Sequence, residues 1–383
     1  MFSKAYLINN LPSLGGRGLR GGGQSIYHPH PIPPPSKGEG LIFRFSWFEG
    51  CRMKVLFLIQ GFSVAASRYR VLQYIPFLKS MGVDTTASLY PRSLKENIQF
   101  FKILPQYDIL FLQRKRFNQP RLGLLRKRAK RIIYDFDDSV MYRNSKAKNP
   151  VSFTRRRRFV QMIKNSDFVI AGNEFLKSEV LLFNPKVEVI PTAIDQERYH
   201  LKTYPAQQER VTLGWIGDHG SIHYLEKMRP IFERIGERYP YVELKIVCDT
   251  FFDCDRMKVI KKNWSSEEEV ADLQGFDIGL MPLIDDPWSQ GKCGLKIIQY
   301  QGVGIPVVCT PVGVNRDLVE DGVNGFYAMT PKEWEEKLSL LIENSQLRER
   351  MGREGRKRIL KNYTCQVCAP RLFSILDRVA KEK

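Results

Sequence analysis

The sequence contains no apolar run that approaches the ~18 residues needed for a membrane-spanning helix. This absence argues against an integral membrane protein built on helices and favours a soluble or peripheral one. A secretory signal is not predicted either, because the first residues lack a long apolar segment and a small-residue cleavage site. With 43% hydrophobic residues the chain can still bury ordinary cores, and its 383 residues predict two domains.

Cysteine and histidine are scarce. The seven cysteines are odd in number and lack the spacing of a disulfide framework. Cys365 and Cys368 form a lone C-x-x-C pair, without the second pair that would complete a zinc site. Two of the five histidines lie in the first 52 residues, which leaves little material for a metal centre. These shortages predict a protein of the reducing cytoplasm without a bound metal.

Acidic residues are few in the first half of the chain. Residues 53–210 carry 29 lysines and arginines against 13 acidic residues, whereas residues 211–383 carry 25 against 26. The positive charge is concentrated in Arg114–Arg116, Arg126–Arg131 and Arg155–Arg158. Such a surface favours an anionic membrane or a pyrophosphate-linked lipid acceptor, and a solvated basic face without a partner is the alternative. Nucleic acid is not the predicted partner, because no RNA- or DNA-binding motif accompanies the charge.

Residues 1–52 differ from the rest in composition. The segments GGRGLRGGG and HPHPIPPPSKGEG are rich in glycine and proline and show no apolar periodicity. They predict a leader that does not build a packed core. One interpretation is translated upstream sequence with Met53 as the natural start, because Lys54 begins a strand; a disordered leader is the other.

From Met53 on, short apolar segments alternate with helical patterns, the order expected of doubly wound α/β domains. The first segment, KVLFLIQGF, runs into a glycine loop, and Ser67 is expected to cap the following helix. Further strands are predicted over Asp84–Ala87, Ile109–Leu112, Arg131–Phe136, Phe168–Ala171, Val187–Ile190, Val211–Gly217, Val242–Cys248, Phe276–Met281 and Ile305–Cys309.

The stretch Gly275–Phe326 is the most informative, because it contains a strand, a loop, a helix and a second strand in succession. Its loop ends in Gly291-Lys292-Cys293-Gly294 and leads into a helix that begins at Leu295. Free N–H groups at a helix N-terminus, the positive end of its dipole and a nearby ammonium group favour a bound phosphate. Lys296 follows Lys292 by four residues, so both can face one site. Snorkelling surface lysines are the alternative.

A second glycine loop, Gly217-Asp218-His219-Gly220-Ser221, follows the strand VTLGWIG. It also presents N–H groups between a strand and a helix, an arrangement that binds anions. Many α/β turns need glycine merely for a positive φ, so this loop is informative mainly together with Gly291–Gly294.

The stretch Gly275–Phe326 resembles the donor-binding half of the retaining GT-B glycosyltransferases of glycosyltransferase family 4, and the resemblance extends from about Met53 to the C-terminus. The resemblance rests on the strand that begins Pro306-Val-Val, on DLVEDGVNGF, on the turn Pro191–Asp195 and on the strand order after Met53. The two signature glutamates of the family fall here on Gly291 and Gln299, so both carboxylates are absent.

The resemblance implies a fold of class α/β with GT-B architecture. Two Rossmann-like domains would face a central cleft, residues 53–200 on the acceptor side and residues 206–365 on the donor side. Residues 366–383 would form a helix that crosses back to the first domain.

The resemblance also implies roles for individual residues. Lys292 and Lys296 would neutralise the diphosphate of the leaving nucleotide, and Gln299 would contact the ribose hydroxyls. Asp285, Asp286 or Lys292 would contact the sugar in place of the missing first glutamate. The implied donor-binding set is Gly217, His219, Ser221, Asp285, Lys292, Gly294, Leu295 and Gln299, and the implied acceptor-side set is Gly61, Arg68 and Arg70.

Three aspartates in the segment YDFDDSVMYR follow a strand of the first domain and need partners or a role. By the resemblance, Asp137 and Asp138 would contact the acceptor or support a departing proton, and with Lys296 they form the expected catalytic set. Alternatively, they cap the next segment or pair with Arg143 and the basic helix. A metal-binding Asp-x-Asp is a third interpretation.

The implied function is transfer of a sugar from a nucleotide-sugar donor to a glycan or lipid-linked acceptor in envelope polysaccharide synthesis. The reaction would retain configuration and use no metal or other cofactor, in the cytoplasm or at the inner face of the membrane. Two alternatives stay open: a degenerate protein that binds a sugar nucleotide or glycan without catalysis, and a sugar-nucleotide epimerase of the same fold.

Overall fold

A computed structural model describes residues 53–204 and 209–382. The prediction of an unfolded leader over residues 1–52 falls outside these residues. Among the helices described, none is both long and apolar enough to cross a bilayer.

The first sheet has six parallel strands in the order β2-β1-β3-β4-β5-β6. Its central strands are mainly apolar and almost entirely buried, because helices cover both faces of a parallel sheet. The chain leaves β1 to one side and returns to β3 on the other, so the strand order reverses between β1 and β3. The strands are β1 (Lys54–Ile59), β2 (Asp84–Leu89), β3 (Ile109–Gln113), β4 (Arg131–Phe136), β5 (Phe168–Ala171) and β6 (Val187–Val189).

Helices connect these strands on both faces of the sheet. They are α1 (Ala65–Arg70), α2 (Ile75–Ser80), α3 (Leu94–Ile103), α4 (Gln119–Arg128), α5 (Phe153–Lys164) and α6 (Glu174–Leu181), with 3-10 turns at Leu72–Tyr74 and Leu104–Gln106. The prediction that Ser67 caps the first helix is wrong. Val64 holds that position, and the buried Ser67 hydroxyl donates instead to Gln113 Oε1 at 2.8 Å.

The second sheet also has six parallel strands, in the order β12-β11-β10-β7-β8-β9, and its order reverses between β7 and β10. In both sheets the loops at the carboxyl ends of the strands near the reversal are the expected ligand positions. The strands are β7 (Val211–Ile216), β8 (Val242–Cys248), β9 (Lys258–Asn263), β10 (Ile278–Met281), β11 (Val307–Cys309) and β12 (Gly325–Tyr327).

The second domain is completed by eight helices of the described chain. They are α7 (Ile222–Glu226), α8 (Arg229–Arg238), α9 (Glu269–Gln274), α10 (Pro287–Gln290), α11 (Leu295–Gly302), α12 (Asn315–Leu318), α13 (Pro331–Glu343) and α14 (Ser345–Asn362). Pro331 and the Thr330–Glu333 capping box begin α13, where proline leaves no helical hydrogen bond unmade.

The last helix, α15 (Cys365–Lys381), packs against the first sheet although it follows the second domain. Its apolar face, which includes Leu372, Ile375 and Leu376, joins the same core as Val55 and Phe57 of β1. At its end, the Arg131 guanidinium donates to the backbone oxygens of Val379 and Glu382.

Candidate functional site

The residue directly before helix α11 is a glycine that other residues cannot easily replace. Gly294 has φ +66°, and a Cβ there would lie 2.2 Å from Leu318 Cδ1. The chain can therefore turn sharply from the loop into the helix. Leu295 is the first helical residue. Its partly buried side chain packs against the core of the second domain.

Two lysines lie beside this helix start. Lys296 Nζ is 5.2 Å from the ring centre of Trp215, and Lys292 Nζ is 5.8 Å from the rings of Tyr224 and Trp288. Burial, together with the like charge of Lys292, lowers the pKa of Lys296 to about 8. An anion bound here would relieve that repulsion.

The loop after β7 supplies the opposite wall. Burial opposes ionisation of Asp218, but Lys296, the Ser221 hydroxyl and Lys292 together lower the pKa of its carboxyl. Ser221 Oγ donates to Asp218 Oδ1 at 2.8 Å, which fixes the turn. A Cβ on Gly217 would lie 2.2 Å from the Trp215 ring, so this close approach requires glycine. Asp218 and the lysines therefore share one charged site.

His219 lies at the exposed tip of the same loop. Its backbone N–H donates to Asp249 Oδ1 at 2.7 Å, and its ring Nδ1 is 2.7 Å from Asp249 Oδ2. This hydrogen bond and the charge of Asp249 raise the pKa of His219. The imidazole is thus held by Asp249 and does not point into the lysine site.

The aspartates after β4 pair with an arginine from the neighbouring strand end. Arg114 Nε lies 3.3 Å from Asp137 Oδ1, and its Nη2 contacts Asp138 Oδ2. Arg114 adopts a left-handed backbone conformation, with φ +57°, directly after β3. The alternative pairing with Arg143 is wrong, because that side chain donates to Asn149 O. No cluster of three or more potential metal ligands occurs among the described residues.

The segment before α11, which carries Lys292, is in direct contact with the first domain. Ser139 Oγ donates to Pro287 O at 2.7 Å, and Asn173 Nδ2 donates to Lys292 O at 3.0 Å. A Cβ on Gly291 would lie 2.0 Å from Ser139 Oγ. The glycine at the first signature position therefore allows this contact. Sequence reasoning missed Ser139 and Asn173, since only their tertiary partners distinguish them.

The predicted contact between Gln299 and a ribose needs correcting. The residue is 3% exposed, and its Nε2 donates to the hydroxyls of Tyr69 and Tyr199 at 2.9 and 3.0 Å. Glu269 Oε1 accepts from the same two hydroxyls. Burial opposes its ionisation, yet the hydrogen bond and charge of Arg68 hold the pKa of Glu269 below its ordinary value. Gln299 is therefore part of a buried polar cluster.

The predicted acceptor-side residues separate in the structure. The prediction that Arg70 faces the acceptor needs correcting, because its side chain is 1% exposed, pairs with Asp135 and donates to Ile190 O. Arg68 also faces the polar cluster, where it pairs with Glu269 at 2.9 Å. Gly61 remains on the loop after β1 and is half-buried.

The two acidic candidates for sugar contact differ. Asp286 caps α10 by accepting from the backbone N–H of Ser289 at 2.7 Å, so its carboxylate has a structural partner. Asp285 is exposed and accepts from Gln290 Nε2 at 2.6 Å. Asp285 is thus the more accessible of the two.

The fold defines a GT-B architecture: two Rossmann-like domains, the second of which carries the paired lysines Lys292 and Lys296. Residues 259–358 match the family model described as "Glycosyl transferases group 1". The chain is 28% identical over 95 residues to spore coat protein SA of Bacillus subtilis, covering 24% of this chain and 25% of that protein. It is 33% identical over 98 residues to the capsular polysaccharide biosynthesis glycosyltransferase CapM of Staphylococcus aureus, covering 25% and 26%.

A solved structure extends the likeness to both domains. The Anabaena protein Alr3699/HepE, crystallised with UDP and glucose, superposes with a TM-score of 0.64 at 16% identity. The match covers 85% of this chain and all of that one. It confirms the two-domain GT-B fold. The matched regions of spore coat protein SA and CapM span only about a quarter of either relative's length.

Proposed function

We propose that the protein is a glycosyltransferase that moves a sugar from a nucleotide-sugar donor to a glycan or lipid-linked acceptor. The observation that carries this proposal is the pair Lys292 and Lys296 at the start of α11, opposite the Gly217–Ser221 loop. Two ammonium groups and a helix N-terminus suit a diphosphate, and the matched family region, residues 259–358, includes both lysines.

In this proposal the lysines stabilise the negative charge that grows on the leaving diphosphate. Preorganised charge at such a position is often the largest electrostatic contribution to catalysis. Asp137 and Asp138 lie on the facing domain, where they would orient the acceptor hydroxyl. Retention of configuration, without a protein nucleophile or a metal, follows the family resemblance: the departing phosphate oxygen takes the acceptor proton on the same face of the sugar.

The setting is envelope polysaccharide synthesis at the inner face of the membrane. The similarity to a capsular polysaccharide glycosyltransferase and the excess of 29 basic over 13 acidic residues in residues 53–210 support this part of the proposal. The basic first domain would hold the protein at an anionic lipid surface.

Thermal shift measurements test the donor site. The full chain is screened against UDP, GDP, ADP, CMP and their common sugars, with and without EDTA, starting with UDP-glucose. A ligand at ~100 times its dissociation constant should stabilise by about 2.7 kcal/mol. We expect one nucleotide class to stabilise the protein regardless of EDTA, and Lys296→Ala to abolish the shift. Lys361→Ala, on an exposed face of α14, is the control and should preserve it.

A binding-only protein is the second candidate, favoured by Gly291 and Gln299 at the two signature positions. It predicts stabilisation by a nucleotide-sugar without transfer or hydrolysis. Turnover of a nucleotide-sugar by the unmodified protein separates the candidates, and a transferase should lose that turnover in Asp137→Asn with Asp138→Asn while donor binding persists. Full turnover in that variant would contradict the role given to the aspartates.

A further inference from the structure

A cavity of about 160 Å³ lies in the first domain, away from the lysine site. It opens at the carboxyl ends of β1, β2 and β3, where the strand order reverses, the usual ligand position of such sheets. The volume is roughly ten times what one water requires by the same measure. Its walls include Gln60, Leu89, Tyr90, Arg92, Lys115 and Arg121.

Three cations and no carboxylate line this cavity. Lys115 Nζ lies 5.8 Å from the Tyr90 ring centre, and the Arg121 guanidinium lies 5.0 Å from that of Phe117. Within the described chain, neither the Arg92 nor the Lys115 side chain forms a hydrogen bond or an ion pair. Elsewhere in this domain, by contrast, Arg70, Arg114, Arg126 and Arg156 each have a carboxylate partner.

Arg121 is held in place on one side only. Its Nη2 donates to Pro91 O at 3.2 Å and to Asn97 Oδ1 at 2.8 Å. Its Nε is buried and has no partner among the described residues. Burial lowers the pKa of Arg121, with no neighbouring carboxylate to compensate. A positioned, incompletely bonded guanidinium is what a phosphate group binds well.

The cavity is close to the proposed reaction centre. Lys115 directly follows Arg114, which pairs with Asp137 and Asp138. Strands are about 4.8 Å apart, and β3, β1 and β2 lie one, two and three strands from β4, so the cavity mouth lies roughly 5–15 Å from the strand end that carries the two aspartates. This separation is about the length of one to three linked sugar units.

We propose that this cavity binds a phosphate or pyrophosphate group of the acceptor substrate. The inference rests on the proposed function and adds that the acceptor is anionic. Three cations suit a phosphate ester, which carries up to two charges, better than a single carboxylate. The phosphate belongs either to a lipid headgroup or to a soluble sugar phosphate; both share this chemistry.

Inorganic pyrophosphate titrated calorimetrically into the full chain tests the site. All proteins carry Lys292→Ala and Lys296→Ala, which removes the donor site as a second binding position. Arg92→Ala with Lys115→Ala removes two unpaired cations of the cavity. The matched control, Lys79→Ala with Lys127→Ala, removes two exposed cations at the last turns of α2 and α4, on the opposite edge of the sheet.

We expect the cavity variant to bind pyrophosphate at least about tenfold more weakly, and the control to bind as the parent does. Equal affinity in the cavity variant and its control overturns the proposal. Sedimentation with phosphatidylcholine vesicles, with and without phosphatidic acid, then distinguishes the sources. Phosphatidic-acid-dependent binding that requires Arg92 and Lys115 indicates a lipid headgroup, and vesicle binding indifferent to them indicates a soluble phosphate.

The outcome is separable from that of the donor site. With both lysines intact, Arg92→Ala with Lys115→Ala should keep its thermal shift with the nucleotide-sugar. If that shift persists while pyrophosphate affinity is unchanged, only the cavity proposal fails. If no nucleotide stabilises the unmodified protein but the cavity variant loses pyrophosphate, only the proposed function fails.

Discussion

Gln299 stands where the family signature has a glutamate, and its surroundings explain why an amide suits this chain. The hydroxyls of Tyr69 and Tyr199 accept from its Nε2 and donate to Glu269. The cluster thus already contains one buried carboxylate, supplied by α9. A second carboxylate would remove a donor and add a buried like charge.

Restoring the family glutamate should therefore destabilise the protein. We expect Gln299→Glu to lower the free energy of unfolding by on the order of 2 kcal/mol at neutral pH, measured by urea denaturation. The deficit should shrink towards acidic pH, because burial raises the pKa of the new carboxyl and it takes up a proton. The exchanged pair, Gln299→Glu with Glu269→Gln, should recover part of the loss. Unchanged stability in Gln299→Glu would show that the cluster tolerates two charges.

Lys296 should take up a proton when a nucleoside diphosphate binds. Its pKa of about 8 means that the free amine loses its charge above that pH, and a bound anion raises the pKa again. Affinity should therefore fall as the pH rises through about 8, by up to about tenfold per unit. Calorimetry in buffers of different ionisation enthalpy measures the uptake. Lys296→Arg should bind without this dependence, and an unchanged pH profile in that variant would assign the proton elsewhere.

At the scale of elements, the strands were predictable and the contacts between loops were not. The largely buried strands β4, β5 and β8 lie at the predicted residues, because a mainly apolar run of side chains identifies a parallel strand. Strand β9, KVIKKN, was missed because it is an edge strand with three lysines and only two apolar residues, too few to form an apolar run. Strand β12 is only three residues long and gives no periodicity.

In the candidate site, too, some residues were predictable from the local sequence and others were not. The two lysines of the candidate phosphate site follow from a local motif, a glycine turn into a helix with cations four residues apart. Asp135, the partner of Arg70, lies 65 residues away, and the tyrosine partners of Gln299 lie 100 and 230 residues away, so no local pattern reveals that both are buried. Burial depends on tertiary packing, which a one-residue signature does not encode.

Gly291 lies in the segment before α11 that contacts the first domain, and this contact gives a prediction. We expect Gly291→Ala to displace Ser139 and reduce transfer about 10- to 100-fold, since small misplacements at a reacting centre are costly. Ser139→Gly removes the hydroxyl that the new Cβ meets. The double variant should regain part of the rate, giving a positive coupling in a double-mutant cycle. Strict additivity would show that the two loops act independently.

At the scale of the whole molecule, α15 follows the second domain in sequence but packs in the core of the first domain. Leu376 is fully buried in the core that it shares with β1. Leu376→Ala should destabilise the protein by about 2–5 kcal/mol. Hydrogen exchange should show the loss in β1 and β3 before the second sheet. Val367→Ala, at a 37% exposed position of the same helix, is the control and should leave exchange unchanged.

The position of α15 also bears on how the chain is made. Domains generally fold as units in the order in which they leave the ribosome. Among the described residues, the apolar clusters around the second sheet end at Tyr363. The cluster on one face of the first sheet, by contrast, also contains residues of α15, from Cys365 to Val379. The domain synthesised first should therefore be the last to mature, exposing an uncovered sheet face to chaperones until α15 has been synthesised.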